Sequence, residues 1–375
     1  MQLKLLEVRM SESLVGELSI IPLRGSEDFA KQVDYYLSNW RKYEPGFVKY
    51  PDYTRFGTGE GKCVLHDSMR GEDVYLIADV FNYGVKYKMY GMEQRMSPDD
   101  HFEDIKRTIG AIAGKARRIS VIMPMLYEGR QHKRSMRESL DCATALQELV
   151  SMGVTNIITF DAHDQRVQNA IPLHGFDNVQ PTYQMIKAMV RKIPDIDFSP
   201  EKLMVVSPDE GGMQRCMYYA SILGLELGMF YKRRDYSVVK DGKNPIVAHE
   251  YLGKSVRGKD VIIADDMISS GESILDVAKQ LKARDARRIF VFATFGLFCN
   301  GFEIFDKAYA DGQIDQIFTT NLNYRPKEIL ARPWYTEVNM CKYVAYFIDT
   351  LNHDSTISKL LDPAERIKNL LAKRG

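Results

Sequence analysis

The chain has 375 residues, of which 45% are hydrophobic and 27% are charged, and its formal net charge is +1. This length allows two domains with sizeable cores, and the composition is ordinary for a globular protein. Because the net charge is close to zero, nucleic acid is not expected as a main partner. No stretch approaches 18 uninterrupted apolar residues and the N-terminus lacks a signal-peptide layout, so no membrane attachment is expected.

Eight apolar runs predict buried strands, and helical periods lie between many of them. The strands are predicted at Leu18–Leu23, Val74–Ala78, Ile119–Met123, Ile157–Phe160, Leu203–Val206, Leu225–Phe230, Val261–Ala264 and Ile289–Ala293. Helices are clearest over Ser139–Met152, Thr182–Lys192 and Gly212–Leu223. Alternating strands and helices predict an α/β fold with largely parallel sheets, whose strands end at one shared edge.

The two halves of the chain are weakly similar, because in each a strand ends in an acidic motif and a helix follows. The motifs are Phe160-Asp161-Ala162-His163 and Ala264-Asp265-Asp266. We therefore expect a duplicated α/β domain, with domains at 1–178 and 179–350 and a tail at 351–375.

Two segments have the composition of insertions, and the C-terminal tail has that of a helix. Asn39–Tyr53 is aromatic and charged without a clear period, and Tyr83–Asp100 is typical of a long surface loop. Apolar residues among basic ones in Pro363–Gly375 predict an amphipathic helix that docks on this chain or on a neighbouring subunit.

The five cysteines form no CxxC pair, so neither a disulfide framework nor a zinc site is predicted. This pattern fits a reducing compartment, and we expect the protein to be cytoplasmic.

The stretch Val261–Ser273 combines a predicted strand, the acidic pair Asp265 and Asp266, and a turn that leads into a helix. The turn consists of Ser269, Ser270, Gly271, Glu272 and Ser273. Backbone N–H groups at such a turn can hold a phosphate, and the carboxylates can hold sugar hydroxyls or a metal. The stretch predicts a site for a phosphorylated sugar, with an ordinary capped turn as the simpler alternative.

Five further motifs could carry chemistry, and four of them follow or end a predicted strand. They are Phe56-Gly57-Thr58-Gly59-Glu60, Arg130-Gln131, Asp161-Ala162-His163, Ser207-Pro208-Asp209 and Lys232-Arg233-Arg234. By residue type alone they are a glycine turn, a solvated basic loop, a structural histidine, a capped helix start and a salt-bridge patch. Arginine can also fork onto phosphate oxygens, histidine or aspartate can ligate a cation, and paired cations can stabilise a transferring group.

With these motifs in this order, the chain resembles the ribose-phosphate pyrophosphokinase (PRPP synthetase) family from about residue 18 to about residue 350. The resemblance implies two phosphoribosyltransferase-like domains. It also implies transfer of the β,γ-diphosphoryl group of Mg-ATP to the 1-hydroxyl of ribose 5-phosphate, which gives PRPP and AMP. The implied assembly is a homo-oligomer whose ATP sites are shared between subunits.

The resemblance also implies a role for each motif residue. The residues implied to bind ATP are Phe56, Thr58, Gly59, Glu60, Arg130 and Gln131. The residues implied to bind ribose 5-phosphate are Arg234, Asp265, Asp266, Ser269, Ser270, Gly271, Glu272 and Ser273. Lys232 and Arg234 are implied to be catalytic, at the base of a flexible loop over 235–258, and His163 and Asp209 are implied to hold Mg²⁺.

Several positions depart from the family pattern. Ser269 and His132 each replace an Asp, Glu272 replaces a Gly, and Thr58 stands where an acidic or amide side chain is usual. Two alternatives therefore stay open. One is a phosphoribosyltransferase, and the other is a non-catalytic regulatory homologue, which Glu272 favours because a carboxylate repels a phosphate.

Overall fold

The computed structural model describes residues 14–234 and 246–373, and for 232–234 and 246–249 it describes the backbone only. The strands are β1 Leu18–Pro22, β2 Asp52–Arg55, β3 Gly61–Val64, β4 Asp73–Ile77, β5 Lys86–Met89, β6 Met92–Arg95, β7 Arg118–Ile122, β8 Asn156–Phe160, β9 Gly175–Val179, β10 Leu203–Ser207, β11 Glu226–Arg234, β12 Ile246–Leu252, β13 Asp260–Ile268, β14 Ile289–Gly296, β15 Gln316–Thr320 and β16 Tyr335–Val338.

The helices alternate with these strands along much of the chain. They are α1 Glu27–Arg41, α2 Pro98–Ile112, α3 Asp141–Ser151, α4 Thr182–Lys192, α5 Met213–Leu223, α6 Glu272–Lys282, α7 Glu303–Ala310, α8 Lys327–Leu330, α9 Cys341–Asn352, α10 Ser358–Leu361 and α11 Ala364–Ala372, with a 3-10 helix at Gln165–Ala170.

The chain divides into two compact units. Of the described residues, the first unit comprises 14–180 together with Leu322–Tyr324 and Asn339–Asp362. The second comprises 181–234, 246–321, Arg325–Val338 and 363–373. The expected domains at 1–178 and 179–350, with a tail at 351–375, stay a prediction.

The first unit is built on a five-stranded sheet in the order β1-β4-β7-β8-β9, and every pair in it is parallel. The interior strand β4 is buried at every residue, as expected for a parallel strand covered on both faces. Helix α2 packs Phe102, Ile105 and Ile109 into the core of this sheet. The helix begins where it does because Ser97 and Asp100 form a capping box and Pro98 occupies the first turn.

The second unit is built on a seven-stranded sheet in the order β12-β11-β10-β13-β14-β15-β16. All neighbours are parallel except β11 and β12. The apolar face of α6, which includes Ile274, Val277 and Leu281, is buried in the core that β13 and β14 also form. The predicted α/β fold with two largely parallel sheets is therefore confirmed.

All eight predicted strands and all three predicted helices are present, as β1, β4, β7, β8, β10, β11, β13, β14 and as α3, α4, α5. The predicted C-terminal helix is α11, in which Ile367 is buried. This helix docks on α4 of its own chain, where the Arg366 guanidinium lies 5.2 Å from the centre of the Tyr183 ring.

Three sequence expectations need correction. The segment 83–100 is not a plain loop, because β5 and β6 form an antiparallel hairpin in it and α2 begins at Pro98. Only part of 39–53 is irregular, since α1 extends to Arg41 and β2 begins at Asp52. The expected flexible loop over 235–258 contains strand β12, and residues 235–245 lie outside the described part.

Candidate functional site

In the second unit, Asp209 and the pair Asp265–Asp266 lie at the same edge of the sheet. Strands β10 and β13 are parallel neighbours, with Val206 opposite Ile263, so the residues that follow these positions come together. The strand does not end at Ala264 as predicted, because β13 continues to Ile268 by pairing with β14. The acidic pair is therefore held by strand backbone rather than by a loop.

The Asp265–Asp266 pair is crowded and partly buried. The Asp266 side chain is buried, and the Asp265 carboxylate accepts a hydrogen bond from the Asp266 N–H at 2.8 Å. Burial, followed by the neighbouring Asp266 carboxylate, raises the pKa of Asp265 well above its usual range, while Arg215 opposes the shift. The Arg215 guanidinium lies 3.8 Å from the Asp265 carboxylate. A cation or a hydroxyl donor would relieve the repulsion between the two carboxylates.

Asp209 is held in place by the turn between β10 and α5. Its carboxylate accepts a hydrogen bond from the Gly212 N–H at 3.2 Å, and its carbonyl accepts one from the Ser207 hydroxyl at 2.7 Å. A Cβ on Gly212 would lie 3.1 Å from the Ser207 hydroxyl, so this glycine leaves room for the Ser207 side chain. The sequence thus places Asp209 on a short, well-constrained turn.

The turn Ser269–Ser273 connects the acidic strand to α6. Gly271 adopts a left-handed conformation with φ +89°, and a Cβ there would overlap the Phe305 ring. The Cys299 N–H donates to the Ser269 carbonyl at 2.9 Å, and Glu272 is the first residue of α6. Ser269 and Ser270 are half-buried, whereas Glu272 and Ser273 are exposed. The N–H groups and the dipole at the start of a helix favour an anion at this point.

Lys232 and Arg234 lie on the last residues of β11, and their side chains lie outside the described part of the structure. The pairing with β12 shifts register between Arg233 and Arg234, which marks a β-bulge. In a regular strand, side chains two residues apart lie on the same face, but a bulge interrupts this alternation. Strand periodicity alone therefore does not place Lys232 and Arg234 on the same face of β11.

In the first unit, Phe56, Thr58, Gly59 and Glu60 form the turn of the β2–β3 hairpin, outside the five-stranded sheet. The Phe56 N–H donates to the Glu60 carbonyl, and the Gly59 N–H donates to the Phe56 carbonyl, both at 2.9 Å. The Thr58 hydroxyl donates to the Glu60 carboxylate at 2.8 Å. Phe56 is 51% exposed, so an aromatic ring projects from the tip of this hairpin.

Arg130 and Gln131 follow β7, and His163 follows β8, the next strand of the sheet. All three side chains are exposed. His132 connects the two segments, because its Nδ1 lies 2.9 Å from the Asp164 carboxylate and its ring centre lies 5.5 Å from that of His163. The predicted Arg130–Gln131 and His163 positions are thus brought to one edge of the first sheet.

Asp164 is a charged anchor beside His163. Its carboxylate accepts hydrogen bonds from the Arg166 backbone and guanidinium, which hold the pKa of Asp164 well below its usual range, against the effect of burial. Burial lowers the pKa of His132, although Asp164 opposes that shift. Asp164 also caps the 3-10 helix Gln165–Ala170. This anchor fixes the backbone that carries His163.

A cavity of about 570 Å³ lies beside Gln131 in the first unit. Its lining includes the carboxylates of Asp99, Glu128, Glu138 and Asp141. Burial, followed by Asp141 and Asp99, raises the pKa of Glu128. Because this lining is acidic, it repels phosphate, and the triphosphate of a nucleotide is not expected to bind in this cavity.

No group of three or more His, Cys, Asp or Glu residues that could hold a metal ion exists within the described ranges. Mg²⁺ does not require such a cage, since it usually keeps several waters and takes one or two carboxylates plus phosphate oxygens. The hard oxygen donors of Asp209, Asp265 and Asp266 fit this pattern. Over the same ranges, no helix is both long and apolar enough to cross a bilayer.

Three residues of the site were not predicted from the sequence. Arg215 was missed because nothing in the sequence pairs it with Asp265, and Phe305 because its contact with Gly271 comes from a helix that follows the next strand. Asp164 follows His163 directly, and a carboxylate next to a candidate ligand is the signal that could have identified it.

Protein-family models match nearly the whole described chain. The N-terminal domain of ribose phosphate pyrophosphokinase matches residues 18–153, the phosphoribosyl transferase domain matches 176–296, and the phosphoribosyl synthetase-associated domain matches 237–361. Together with the two parallel sheets and the acidic turn, these matches define a protein of the phosphoribosyltransferase-type α/β class. The chain belongs to the ribose-phosphate pyrophosphokinase family, and the prediction of a diphosphokinase enzyme is thereby confirmed.

Individual relatives agree with this assignment. The chain is 26% identical to the ribose-phosphate pyrophosphokinase of Vibrio cholerae over 314 residues, which is 82% of this chain and 90% of that protein. It is 28% identical to the enzyme of the same name from Mycoplasma pneumoniae over 275 residues, covering 72% of this chain and 75% of that one. The crystal structure of phosphoribosylpyrophosphate synthetase from Mycobacterium smegmatis shares the fold, with a TM-score of 0.71 and 20% identity over 90% of this chain and 100% of that one.

Proposed function

We propose that this chain transfers the β,γ-diphosphoryl group of Mg-ATP to the 1-hydroxyl of ribose 5-phosphate and forms PRPP and AMP. The observation that carries the proposal is the position of Asp265 and Asp266, separated by two residues from the turn Ser269–Ser273, on a sheet edge that also holds Asp209. An acidic pair suits sugar hydroxyls, and the turn at a helix start suits a phosphate.

Binding of the phosphosugar is assigned to the second unit. The N–H groups of the turn and of the first residues of α6 would donate to the 5-phosphate, and the serine hydroxyls of Ser269, Ser270 and Ser273 can add donors. Asp265 and Asp266 would accept hydrogen bonds from the ribose hydroxyls. Gly271 keeps the turn tight because no side chain fits between it and Phe305.

Transfer of the diphosphoryl group depends on position and charge rather than on a covalent intermediate. In this proposal Lys232 and Arg234 stabilise the negative charge that develops as the 1-hydroxyl attacks the β-phosphorus. When bound, Mg²⁺ would neutralise phosphate oxygens. Asp209 and the Asp265–Asp266 pair are the proposed Mg²⁺ ligands of the second unit, and His163 is the proposed ligand of the first unit.

ATP is assigned to residues of the first unit. The exposed turn with Phe56, Thr58, Gly59 and Glu60 would reach the adenine of a neighbouring subunit in a homo-oligomer, and Arg130 and Gln131 would contact the nucleotide. The exposure of Phe56 supports this role, since an aromatic face on a hairpin tip can stack on a base. The cytoplasm stays the proposed compartment.

The test is incubation of the chain with ribose 5-phosphate, Mg²⁺ and ATP, followed by phosphorus NMR. The proposal predicts AMP and PRPP in equal amounts. Consumption of added PRPP only when a nucleobase is present would indicate a phosphoribosyltransferase instead. ATP binding without any product would indicate a regulatory homologue.

One observation favours that regulatory alternative. Glu272 is exposed at the first position of α6, where its own carboxylate can interact favourably with the helix start and compete with a phosphate. Replacing Glu272 by Gly distinguishes the two cases. A gain of AMP formation from an inactive wild type would support the regulatory alternative, and an already active wild type would exclude it.

A further inference from the structure

The hairpin β5–β6 lies against the turn that carries Phe56. The Tyr90 N–H, at the tip of this hairpin, donates to the Gly57 carbonyl at 2.8 Å. A Cβ on Gly59 would come within 2.7 Å of the Met89 sulfur, so the Met89 side chain packs directly on Gly59. A backbone hydrogen bond and a side-chain contact therefore connect the two hairpin tips.

Arg55 makes a third connection below the tips. Its side chain is only 4% exposed and donates to the Asp104 carboxylate at 3.0 Å and to the Gly59 carbonyl at 3.4 Å. The same guanidinium lies 5.3 Å from the centre of the Tyr87 ring on β5. Because Asp104 belongs to α2, both hairpins are held on one helix of the first unit.

Apart from these contacts, the Phe56–Glu60 turn is held by hydrogen bonds between its own residues, from the Phe56 N–H and the Thr58 hydroxyl to Glu60 and from the Gly59 N–H to Phe56. It contains two glycines, of which Gly59 has φ +96°, and glycine loses more conformational entropy on ordering than any other residue. The tip of the neighbouring hairpin, by contrast, is a two-residue turn at Tyr90 and Gly91, both with positive φ, which suits the twist of antiparallel strands. Contacts from the β5–β6 hairpin can therefore offset part of the entropy that the glycine-containing turn loses when it is ordered.

We propose that hairpin β5–β6 is a positioning element that holds the Phe56–Glu60 turn in its nucleotide-binding conformation. The inference rests on the proposed function, because it takes that turn as part of the ATP site. It gives a role to a segment whose composition indicated only an insertion. Met89 acts here through Gly59, and the Tyr90 backbone acts through Gly57, without either touching the nucleotide. Preorganising a loop improves affinity by removing part of the ordering cost from binding.

Two methionines on the hairpin make a matched pair for the test. Met89 and Met92 face each other in the β5–β6 register, but Met89 is half-buried on Gly59 whereas Met92 is 59% exposed. Met89→Ala is expected to speed hydrogen exchange of the 57–60 amides and to raise the Kd and KM for ATP about fivefold, with the KM for ribose 5-phosphate unchanged. Met92→Ala is expected to match the wild type in all three measurements.

A second variant replaces Lys86–Arg95 by a short Gly-Ser linker, and an unchanged thermal transition would show that the chain still folds. It should weaken ATP binding more than Met89→Ala does, because it also removes the hydrogen bond to Gly57 and the Tyr87 ring. Wild-type exchange rates or a wild-type Kd for ATP in this variant would overturn the inference.

The experiments distinguish a failure of the proposed reaction from a failure of the proposed role of hairpin β5–β6. If the wild type binds ATP but forms no AMP, the proposed reaction is wrong, and the exchange rates and the Kd for ATP still decide the role of the hairpin. Faster exchange in Met89→Ala with an unchanged Kd would overturn the positioning role alone. A wild type that binds no ATP would overturn both.

Discussion

Gly271 faces the ring of Phe305 so closely that a Cβ at Gly271 would overlap it. Phe305 is fully buried, and it comes from α7, one strand and one helix further along the chain. The tight turn before α6 therefore depends on the packing of a distant helix as well as on its own glycine. The position cannot take a side chain without moving either the turn or the core.

Gly271→Ala should weaken the binding of ribose 5-phosphate. The left-handed φ of +89° and the overlap with Phe305 each act against the native turn, and strain of this kind costs about 1–3 kcal/mol. We expect the KM for ribose 5-phosphate to rise by about tenfold or more. Gly258→Ala is the control, because Gly258 also has positive φ but open space around it. Equal effects of the two variants on this KM would contradict the role of Phe305.

Lys232→Ala should abolish the formation of AMP while the chain stays folded. Loss of one preorganised charge that stabilises the transferring group costs about 100-fold or more in kcat. Phosphorus NMR measures the product, and circular dichroism measures the fold. Lys202→Ala serves as the control, since Lys202 is an exposed lysine of the same unit that directly precedes β10, at the opposite end of that strand from Asp209. Wild-type turnover in Lys232→Ala would exclude the catalytic assignment.

Asp209→Asn should raise the Mg²⁺ concentration that gives half-maximal activity by about tenfold. The amide oxygen can still accept the hydrogen bond from Gly212 at 3.2 Å, so the turn is preserved while the negative charge is removed. Titration of activity with Mg²⁺ at saturating ATP measures the shift. Glu210→Gln, which removes the next and exposed carboxylate, should leave the titration unchanged. A similar rise in the required Mg²⁺ concentration in both variants would indicate a general effect of negative charge rather than ligation of Mg²⁺ by Asp209.

The Asp260 carboxylate should make the second unit less stable as the pH falls into the acid range. Burial by itself raises the pKa of Asp260, but hydrogen bonds from Arg287 and Arg288 outweigh it and hold the pKa below its usual range. A depressed pKa in the folded state adds stability that is fully present above about pH 4 and is lost as the pH falls through the folded-state pKa. The thermal transition of the wild type should therefore fall steeply below about pH 4.

Asp260→Asn tests this dependence. The fully buried carboxylate is lost while both arginines remain, which costs about 3 kcal/mol at pH 7. Its transition temperature should fall less on acidification than that of the wild type when both are measured by calorimetry. Asp285→Asn removes an exposed ion pair with Arg257 and should follow the wild type. If the transition temperatures of the wild type and Asp260→Asn fell equally on acidification, the Asp260 carboxylate would be ruled out as the cause of the acid sensitivity.

Much of the sheet architecture could be predicted because parallel strands are buried on both faces. Runs such as Asp73–Ile77 are apolar along almost their whole length, and that signal is local. Strands β9, β15 and β16 were not predicted, since they are short and mix polar with apolar residues. The hairpin Lys86–Arg95 was not predicted either, because its pairing depends on a turn with no Asn-Gly or Asp-Gly signal.

The sequence by itself determined the family, the order of the motifs and the identity of the groups that could bind phosphate, sugar and nucleotide, because each motif is a short run of adjacent residues. Only the tertiary structure decided what holds these groups. It placed Arg215 beside Asp265, Phe305 against Gly271 and Met89 on Gly59. It also placed α9 in the first unit, where Asn352 accepts a hydrogen bond from Val15 at 2.9 Å. Such contacts join residues far apart in the chain, and their partners are selected by packing rather than by any local pattern.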